Sequence, residues 1–338
     1  MQSPHGGNID ALCQRFGVAA EDALDFSSNL NWFLPPVDDD TWLKWKDAAH
    51  NYGDASSNKV SSLIASLFGY EEKQVLATAG AIEAIYLCAQ LFQERRVLIG
   101  APGFADYTRA FQQSEVKTWN LDPDDPILDW AEVVIFGSPN NPTGVRVDID
   151  SWRARWPGKI WLIDETFVEF SQHPPTAPAE DLILFRTLTK SWRIPGLRLG
   201  FLLTLNLEWM SALENLQPPW SLNSVAQAWA ADRLNRSEQL RVEESIAAQI
   251  AERDRFMNLL GALPQLRVHP SEANFFLIEL IHGKADQLLD FLGSCGIFVR
   301  ECESFEGLDG DRFLRLAVRL PQENDRLLQS IRNFFTDE

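Results

Sequence analysis

Through the middle of the chain, short apolar runs alternate with stretches whose apolar residues recur every three to four positions. "QVLATAG" (residues 74–80) reads as a strand ending in a turn, and "AIEAIYLCAQLF" (81–92) follows at once with helical spacing. "RVLIGAPGF" (96–104), "EVVIFGSPNNPTG" (132–144), "KIWLIDETF" (159–167), "LILFRTL" (182–188) and "RLGFLL" (198–203) are further strand-like runs. Several end in small or polar residues, as buried parallel strands do when they deliver loops to one edge of a sheet. The pattern predicts an open α/β fold with a mostly parallel central sheet and ligands at the carboxyl ends of its strands.

Beyond "QPPW" (217–220) the texture changes. A long helical pattern covers about 237–260, with Ile246, Ile250, Met257 and Leu260 on one face. Strand-like "NFFLIEL" (274–280), helix-like "KADQLLDFLGSCG" (284–296), strand-like "IFVRECE" (297–303) and "FLRLAVR" (313–319), and a closing helix complete a smaller α+β unit. The expected division is an N-terminal arm with a short helix (1–40, leaving through "LPPVDDD"), a large unit (41–225) and a small C-terminal domain (226–338).

Composition narrows the function. The 338 residues carry a net charge of −18, which disfavours nucleic acid or an anionic membrane surface as partner. There is no apolar leader and no long apolar run, so neither a secretion signal nor a membrane span is expected. The four cysteines form no C-x-x-C pair and the histidines do not cluster, so no metal site is expected and the thiols read as reduced, in a cytoplasmic protein.

Four segments carry candidate chemistry. "WLIDETF" ends a hydrophobic strand in Asp164-Glu165. A magnesium-holding role would need a G-x-x-x-x-G-K-[ST] loop, and the chain has none; a buried carboxylate facing a cationic ring nitrogen is the other sharp reading. "GSPNNPTG" (137–144) is turn chemistry that can also present an asparagine at a sheet edge. "TAGAIE" (78–83) sets a glycine where a strand becomes a helix, and helix-start N–H groups favour an anion. "TLTKSWRIPGLRLGF" (187–201) joins hydroxyls, an amine and an arginine in one segment, which suggests an anion site beside a reactive lysine.

In this order the motifs resemble the fold-type-I pyridoxal-phosphate enzymes of the aspartate-aminotransferase superfamily: Gly-x-x-Glu, Asn-Pro-Thr-Gly, Asp-Glu-x-Phe, then Lys with Arg eight residues on, and "FLRLAVR" as a fifth match. The resemblance implies pyridoxal 5'-phosphate as cofactor. It implies that Lys190 links covalently to the cofactor's aldehyde, which requires a free amine. Asp164 would keep the ring nitrogen protonated, Asn141 would bond the phenolic oxygen, and Phe104 would stack on the ring. The phosphate would be held by backbone at Gly80, Ala81 and Ile82, by Thr187 and Thr189, and by Arg198. Arg315 would receive the substrate carboxylate. Tyr52, in "NYGDASS", matches a tyrosine that reaches the partner subunit's cofactor phosphate, which implies a homodimer; Gly53 and Ala55 replace two prolines usual there.

Within the superfamily, "HGGN" (His5, Gly6, Gly7, Asn8), "LDFSSNLN" with Asn29, and Phe167 where aminotransferases usually have tyrosine resemble the L-threonine-O-3-phosphate decarboxylases of cobalamin biosynthesis, relatives of histidinol-phosphate aminotransferase. The glycine-bearing arm would bind a substrate phosphate. Thr166 replaces a usual alanine, and "NWFLPP" has Asn31-Trp32 in place of the usual Asn-Pro. The implied substrate is a small phosphorylated amino acid. Decarboxylation is the first expectation and transamination the alternative, because the two differ only in which bond of the bound substrate stands perpendicular to the cofactor ring. A regulator that keeps the fold for sensing is a third reading, and the absence of a DNA-binding segment ahead of the arm argues against it.

Overall fold

A computed structural model describes residues 7–308 and 311–336. Seven strands form the larger sheet: β1 (Val75–Thr78), β2 (Arg96–Gly100), β3 (Glu115–Trp119), β4 (Val133–Gly137), β5 (Ile160–Asp164), β6 (Leu182–Thr187) and β7 (Gly200–Leu203), in the order β1-β7-β6-β5-β4-β2-β3. Strand β7 runs antiparallel to both neighbours and the remaining pairs are parallel. The apolar runs are continuous because both faces are covered. Phe136, Trp161, Ile163, Leu182 and Leu184 enter one core cluster, while Ile135, Leu162, Ile183 and Phe185 enter another.

The parallel strands β2, β4, β5 and β6 all end at one edge. Strand β1 ends there too, because it and β6 both run opposite to β7. For the same reason β7 begins at that edge. The turns after Thr78, Gly100, Gly137, Asp164 and Thr187, and the residues just before Gly200, therefore converge.

The smaller sheet is antiparallel. It comprises β8 (Leu266–Val268), β9 (Phe275–Leu280), β10 (Arg300–Glu301) and β11 (Phe313–Ala317), in the order β10-β11-β9-β8. Helices Arg236–Gly261, Ala285–Ser294 and Pro321–Thr336 cover it, through Phe256, Leu260, Leu288, Leu292, Leu327 and Ile331. Phe26 of the N-terminal segment joins this core, and Leu24–Asp25 pairs in parallel with Ile297–Phe298.

The mostly parallel sheet, its helices and the smaller α+β unit match the sequence reading, with local exceptions. "EVKTW" was not read as a strand; it forms edge strand β3, where mostly exposed polar residues are compatible with one solvated side. "IFVRECE" was read as one strand. It is two short ones, Ile297–Phe298 against the N-terminal segment and β10 against β11, so one apolar run serves two sheets. Among the described residues, no helix is long and apolar enough to cross a membrane.

Candidate active site

A cavity of about 550 Å³ opens where the strand ends converge, within the range of small-molecule sites. Its lining includes Lys190, Arg198, Arg300 and Arg315, against the carboxylates Asp106 and Asp164. In a chain with a net charge of −18, this hollow thus gathers four cations against two carboxylates.

The turn from β1 into helix Ala81–Leu91 holds one wall. Gly80 has φ +78° and ψ 168°, a conformation that favours glycine, and its N–H donates to the Thr78 carbonyl at 2.8 Å. A Cβ on Gly80 would stand 2.8 Å from Nη2 of Arg198, so the missing side chain is what lets the guanidinium lie against the turn. A Cβ on Gly200 would meet the Ala81 nitrogen at 2.7 Å, so the start of β7 also depends on glycine. Glu83, the last residue of the Gly-x-x-Glu motif, caps this turn by accepting from the Ala79 N–H at 2.6 Å. Ala81 and Ile82 line the cavity beside it.

After β6, Thr187 caps a short helical turn by accepting the Thr189 N–H, and the Thr187 and Thr189 hydroxyls are 2.9 Å apart, both buried. This turn carries half-buried Lys190 into the cavity. Burial, then the positive charges of Arg315 and Arg198, pull the Lys190 amine down to about 8, against the opposing pull of Asp164. A lysine so placed supplies a neutral amine near neutral pH far more readily than a surface lysine does.

Asp164 ends β5. Its carboxylate accepts from the Thr166 N–H at 2.9 Å and from the Tyr107 hydroxyl at 2.8 Å. Burial raises its pKa, and hydrogen bonds from the Thr166 side chain, Tyr107 and the Thr166 N–H partly offset that. Burial first, then the Asp164 charge, push the Tyr107 phenol well above its usual value, so it stays a donor. Tyr107 also meets Phe104 edge-on at 5.6 Å, and both line the cavity.

Arg315 projects from β11. Its Nη1 donates to Asn141 Oδ1 at 2.5 Å, its Nη2 donates to the Ser27 carbonyl at 2.6 Å, and it lies over the Phe275 ring. Burial, with Arg300 adding to it, lowers the guanidinium to about 10. Phe167 lines the same region, edge-on to Phe275 at 4.8 Å between ring centroids.

The structure therefore brings together Ala81, Ile82, Phe104, Asn141, Asp164, Thr187, Thr189, Lys190, Arg198 and Arg315, with Gly80 behind Arg198 and with Asn29 and Gly7 also in the lining. His5 and Gly6 lie outside the described residues. Asn8 precedes helix Ile9–Phe16 and is not in the lining. Tyr52 also stands apart: it is 87% exposed and packs on Trp220, 5.1 Å between ring centroids. Three contributors were missed. Tyr107 sits three positions after Phe104, and its polar tip was the available signal. Arg300, cross-strand partner of Arg315, interrupts an apolar run. Ser27 donates to Asp25 two positions back and accepts the Gly7 N–H at 2.8 Å, the latter a contact across 20 positions with no local signature.

Residues 24–331 match the family "Aminotransferase class I and II". The chain belongs to this family. It is 31% identical to the threonine-phosphate decarboxylase of Salmonella typhimurium (strain LT2), over 99% of this chain and 97% of that protein. It is 28% identical to a histidinol-phosphate aminotransferase of Parabacteroides distasonis, over 86% of this chain and 88% of that one. Among solved structures, histidinol-phosphate aminotransferase from Sinorhizobium meliloti in complex with pyridoxal-5'-phosphate superposes with a TM-score of 0.82, at 18% identity, covering 98% of this chain and 95% of that one. The protein is thus a pyridoxal-phosphate-dependent class I/II enzyme. The donor set fits that cofactor: a buried carboxylate at a strand end, a lysine with a depressed pKa, and an arginine and hydroxyls around a turn whose backbone conformation favours glycine.

Proposed function

We propose that this enzyme decarboxylates L-threonine O-3-phosphate, or a closely related phosphorylated amino acid, to the corresponding amino-alcohol phosphate, as a step in cobalamin biosynthesis. The observation that carries the proposal is the cross-strand pair Arg300 and Arg315 in the cavity that holds Lys190. Two arginines near one reactive lysine suit a small substrate with an anion at each end. The relative at 31% identity supports the same reading.

In this reading Asp164 keeps the cofactor's ring nitrogen protonated, and Phe104 packs on the ring. Thr187, Thr189, Arg198 and the backbone at Gly80, Ala81 and Ile82 hold its phosphate. Arg315 already donates to Asn141 Oδ1, which leaves the Asn141 amide N–H groups for the ring's phenolic oxygen. Once bound, the cofactor supplies an electron sink for a bond broken at the substrate's α-carbon. Arg315 holds the substrate carboxylate, and Arg300 and Gly7, with His5 and Gly6 of the same arm, hold the substrate phosphate. Asn29 Oδ1, buried with no partner among the described residues, is a further polar contact for the substrate. Held at both ends, the substrate presents its carboxylate bond for cleavage; carbon dioxide leaves, and Lys190 returns a proton to the α-carbon.

The same reading takes 1–40 as the arm, 41–225 as the cofactor-binding domain and 226–338 as the small domain. It makes the enzyme a cytoplasmic homodimer, with Tyr52 reaching the partner subunit's site. Transamination is the second reading, favoured by the relative at 28% identity. Phe167 argues against it, since an apolar ring against Phe275 offers no hydroxyl to the cofactor.

The test is incubation of the cofactor-loaded enzyme with L-threonine O-3-phosphate and no keto acid. Carbon dioxide and amino-alcohol phosphate in equal amounts are expected, with unphosphorylated threonine a much poorer substrate. A requirement for 2-oxoglutarate with no carbon dioxide released would give the site to transamination.

A further inference from the structure

Residues 25–34 are bonded at one end to the strand that carries Arg315 and at the other to the turn that carries Lys190. At the first end, Arg319 Nη1 donates to the Asp25 carbonyl at 2.9 Å, the Ala317 N–H donates to the Phe26 carbonyl at 3.0 Å, and Arg315 Nη2 donates to the Ser27 carbonyl. At the second end, the Asn31 N–H donates to the Lys190 carbonyl at 3.0 Å, Asn31 Nδ2 donates to the Ser191 carbonyl at 2.9 Å, and Arg193 Nη1 donates to the Leu34 carbonyl at 2.8 Å.

Trp32 stands at the join. The Arg193 guanidinium lies 4.6 Å from its ring centroid, and the Arg319 guanidinium lies 3.7 Å from it. The indole N–H is buried without an acceptor among the described residues, so the ring face holds Trp32 in place, not its polar tip. Arg193 comes three residues after Lys190 and has φ +54°, a strained left-handed conformation for a non-glycine residue. Arg319 comes four residues after Arg315, and its Nε and Nη2 donate to Glu323 at 3.0 and 2.7 Å. The two guanidinium charges repel each other. Burial, and then the Arg319 charge, lower the Arg193 pKa. A ring that attracts both offsets the repulsion, and the attraction is strongest where water is excluded.

We propose that Trp32 is a positioning residue: by drawing Arg193 and Arg319 onto one ring, it fixes the separation between Lys190 and Arg315 and so the attitude in which an anchored substrate meets Lys190. Trp32 does not line the cavity, so it acts through the two arginines and the segment they grip. The inference rests on the reading of Arg315 as a substrate anchor. It also gives a role to the Asn31-Trp32 departure from the family's usual Asn-Pro, since proline has no ring face to offer two cations.

The test compares Trp32→Leu with Trp32→Phe in the cofactor-loaded enzyme. Leu fills space without an aromatic face, and Phe keeps one. Trp32→Leu is expected to lower kcat on the order of tenfold while KM changes by less than about threefold, because Arg315 still holds the carboxylate but presents it wrongly. Trp32→Phe should recover most of the loss. Cofactor retention should be unchanged in both. Amide exchange at Asn31 and Ala317, which bond the two ends of the segment, should quicken together in the Leu variant and not in the Phe variant. Equal kcat in Trp32→Leu and the unaltered enzyme would overturn the proposal, and so would Leu and Phe variants impaired alike with a shared loss of thermal stability. The parent reading fails separately, if Arg315→Lys leaves KM unchanged.

Discussion

At the Gly80 end of the cavity, every group comes from the turns of one sheet: Ala81 and Ile82 after β1, Thr187 and Thr189 after β6, Arg198 before β7. At the Arg315 end, the groups come from the N-terminal segment, the Asn141 turn and the smaller sheet. Arg315 bonds a carbonyl 288 positions away in the chain and an asparagine 174 positions away. The first end is framed by buried strands that pair in fixed register, so it is rigid before any ligand arrives. The second is closed by contacts between units, so its geometry depends on how those units sit together. In the proposed function, the first end grips the cofactor and the second sets how the substrate is turned.

The largest effect that would test this comparison is at Asp164, which belongs to the rigid end. Asp164→Asn keeps the shape of the side chain and removes its charge. Cofactor should still bind, while kcat should fall on the order of a hundredfold or more, the usual scale for losing one preorganised charge at a reacting centre. Absorbance of the bound cofactor together with steady-state rates would check it. Near-normal turnover would mean that the ring nitrogen needs no anionic partner here.

A smaller effect is expected at Gly80. Gly80→Ala forces a side chain into a backbone conformation that disfavours it and pushes the new Cβ against Arg198. Strain of about 1–3 kcal/mol should lower cofactor affinity by roughly thirtyfold. Once the site is saturated with cofactor, the KM for substrate should be little changed, because the Arg315 end is untouched. A variant that binds cofactor normally but loses substrate affinity would show that the two ends are not separable.

The same division explains what could be read from the sequence. The rigid end is written in short motifs, because a buried strand and the turn that follows it are local. "KIWLIDETF" announces both a strand and the carboxylate at its end, and "TLTKSWRIPGLRLGF" holds the hydroxyls, the lysine and the arginine within fifteen residues. The distal end has no such segment. Arg300 sits in a run whose apolar pattern reads as a single strand, and only the division of that run between two sheets brings Arg300 opposite Arg315. Ser27 meets Asp25 two positions back, a local contact, but its bond with Gly7 spans 20 positions and follows from no spacing rule. Tyr107 falls between these cases: its position in a short helix after β2 is local, but its partner Asp164 is 57 positions away.

Tyr107 also gives the smallest effect. Its hydroxyl acts with the side chain and N–H of Thr166 to favour the ionised Asp164 against the cost of burial. Tyr107→Phe removes that donor and keeps the ring. A hydrogen bond to a charged group has a net worth of about 1.5–3 kcal/mol, so kcat should fall roughly tenfold at neutral pH. The sign of the pH effect follows from the direction of the shift. Burial already raises the Asp164 pKa, and losing a donor to the carboxylate raises it further, so the protonated form persists to higher pH. If ionised Asp164 is the active form, the acid limb of the kcat profile must move upward in pH, while the alkaline limb stays where it was. A shift of the acid limb to lower pH would mean that Tyr107 stabilises the protonated carboxyl instead. No shift would mean that Asp164 does not set that limb. Either result would separate the rigidity of this end of the cavity from its electrostatics, which the Asp164→Asn variant alone cannot do because it changes both the charge and the hydrogen bonding.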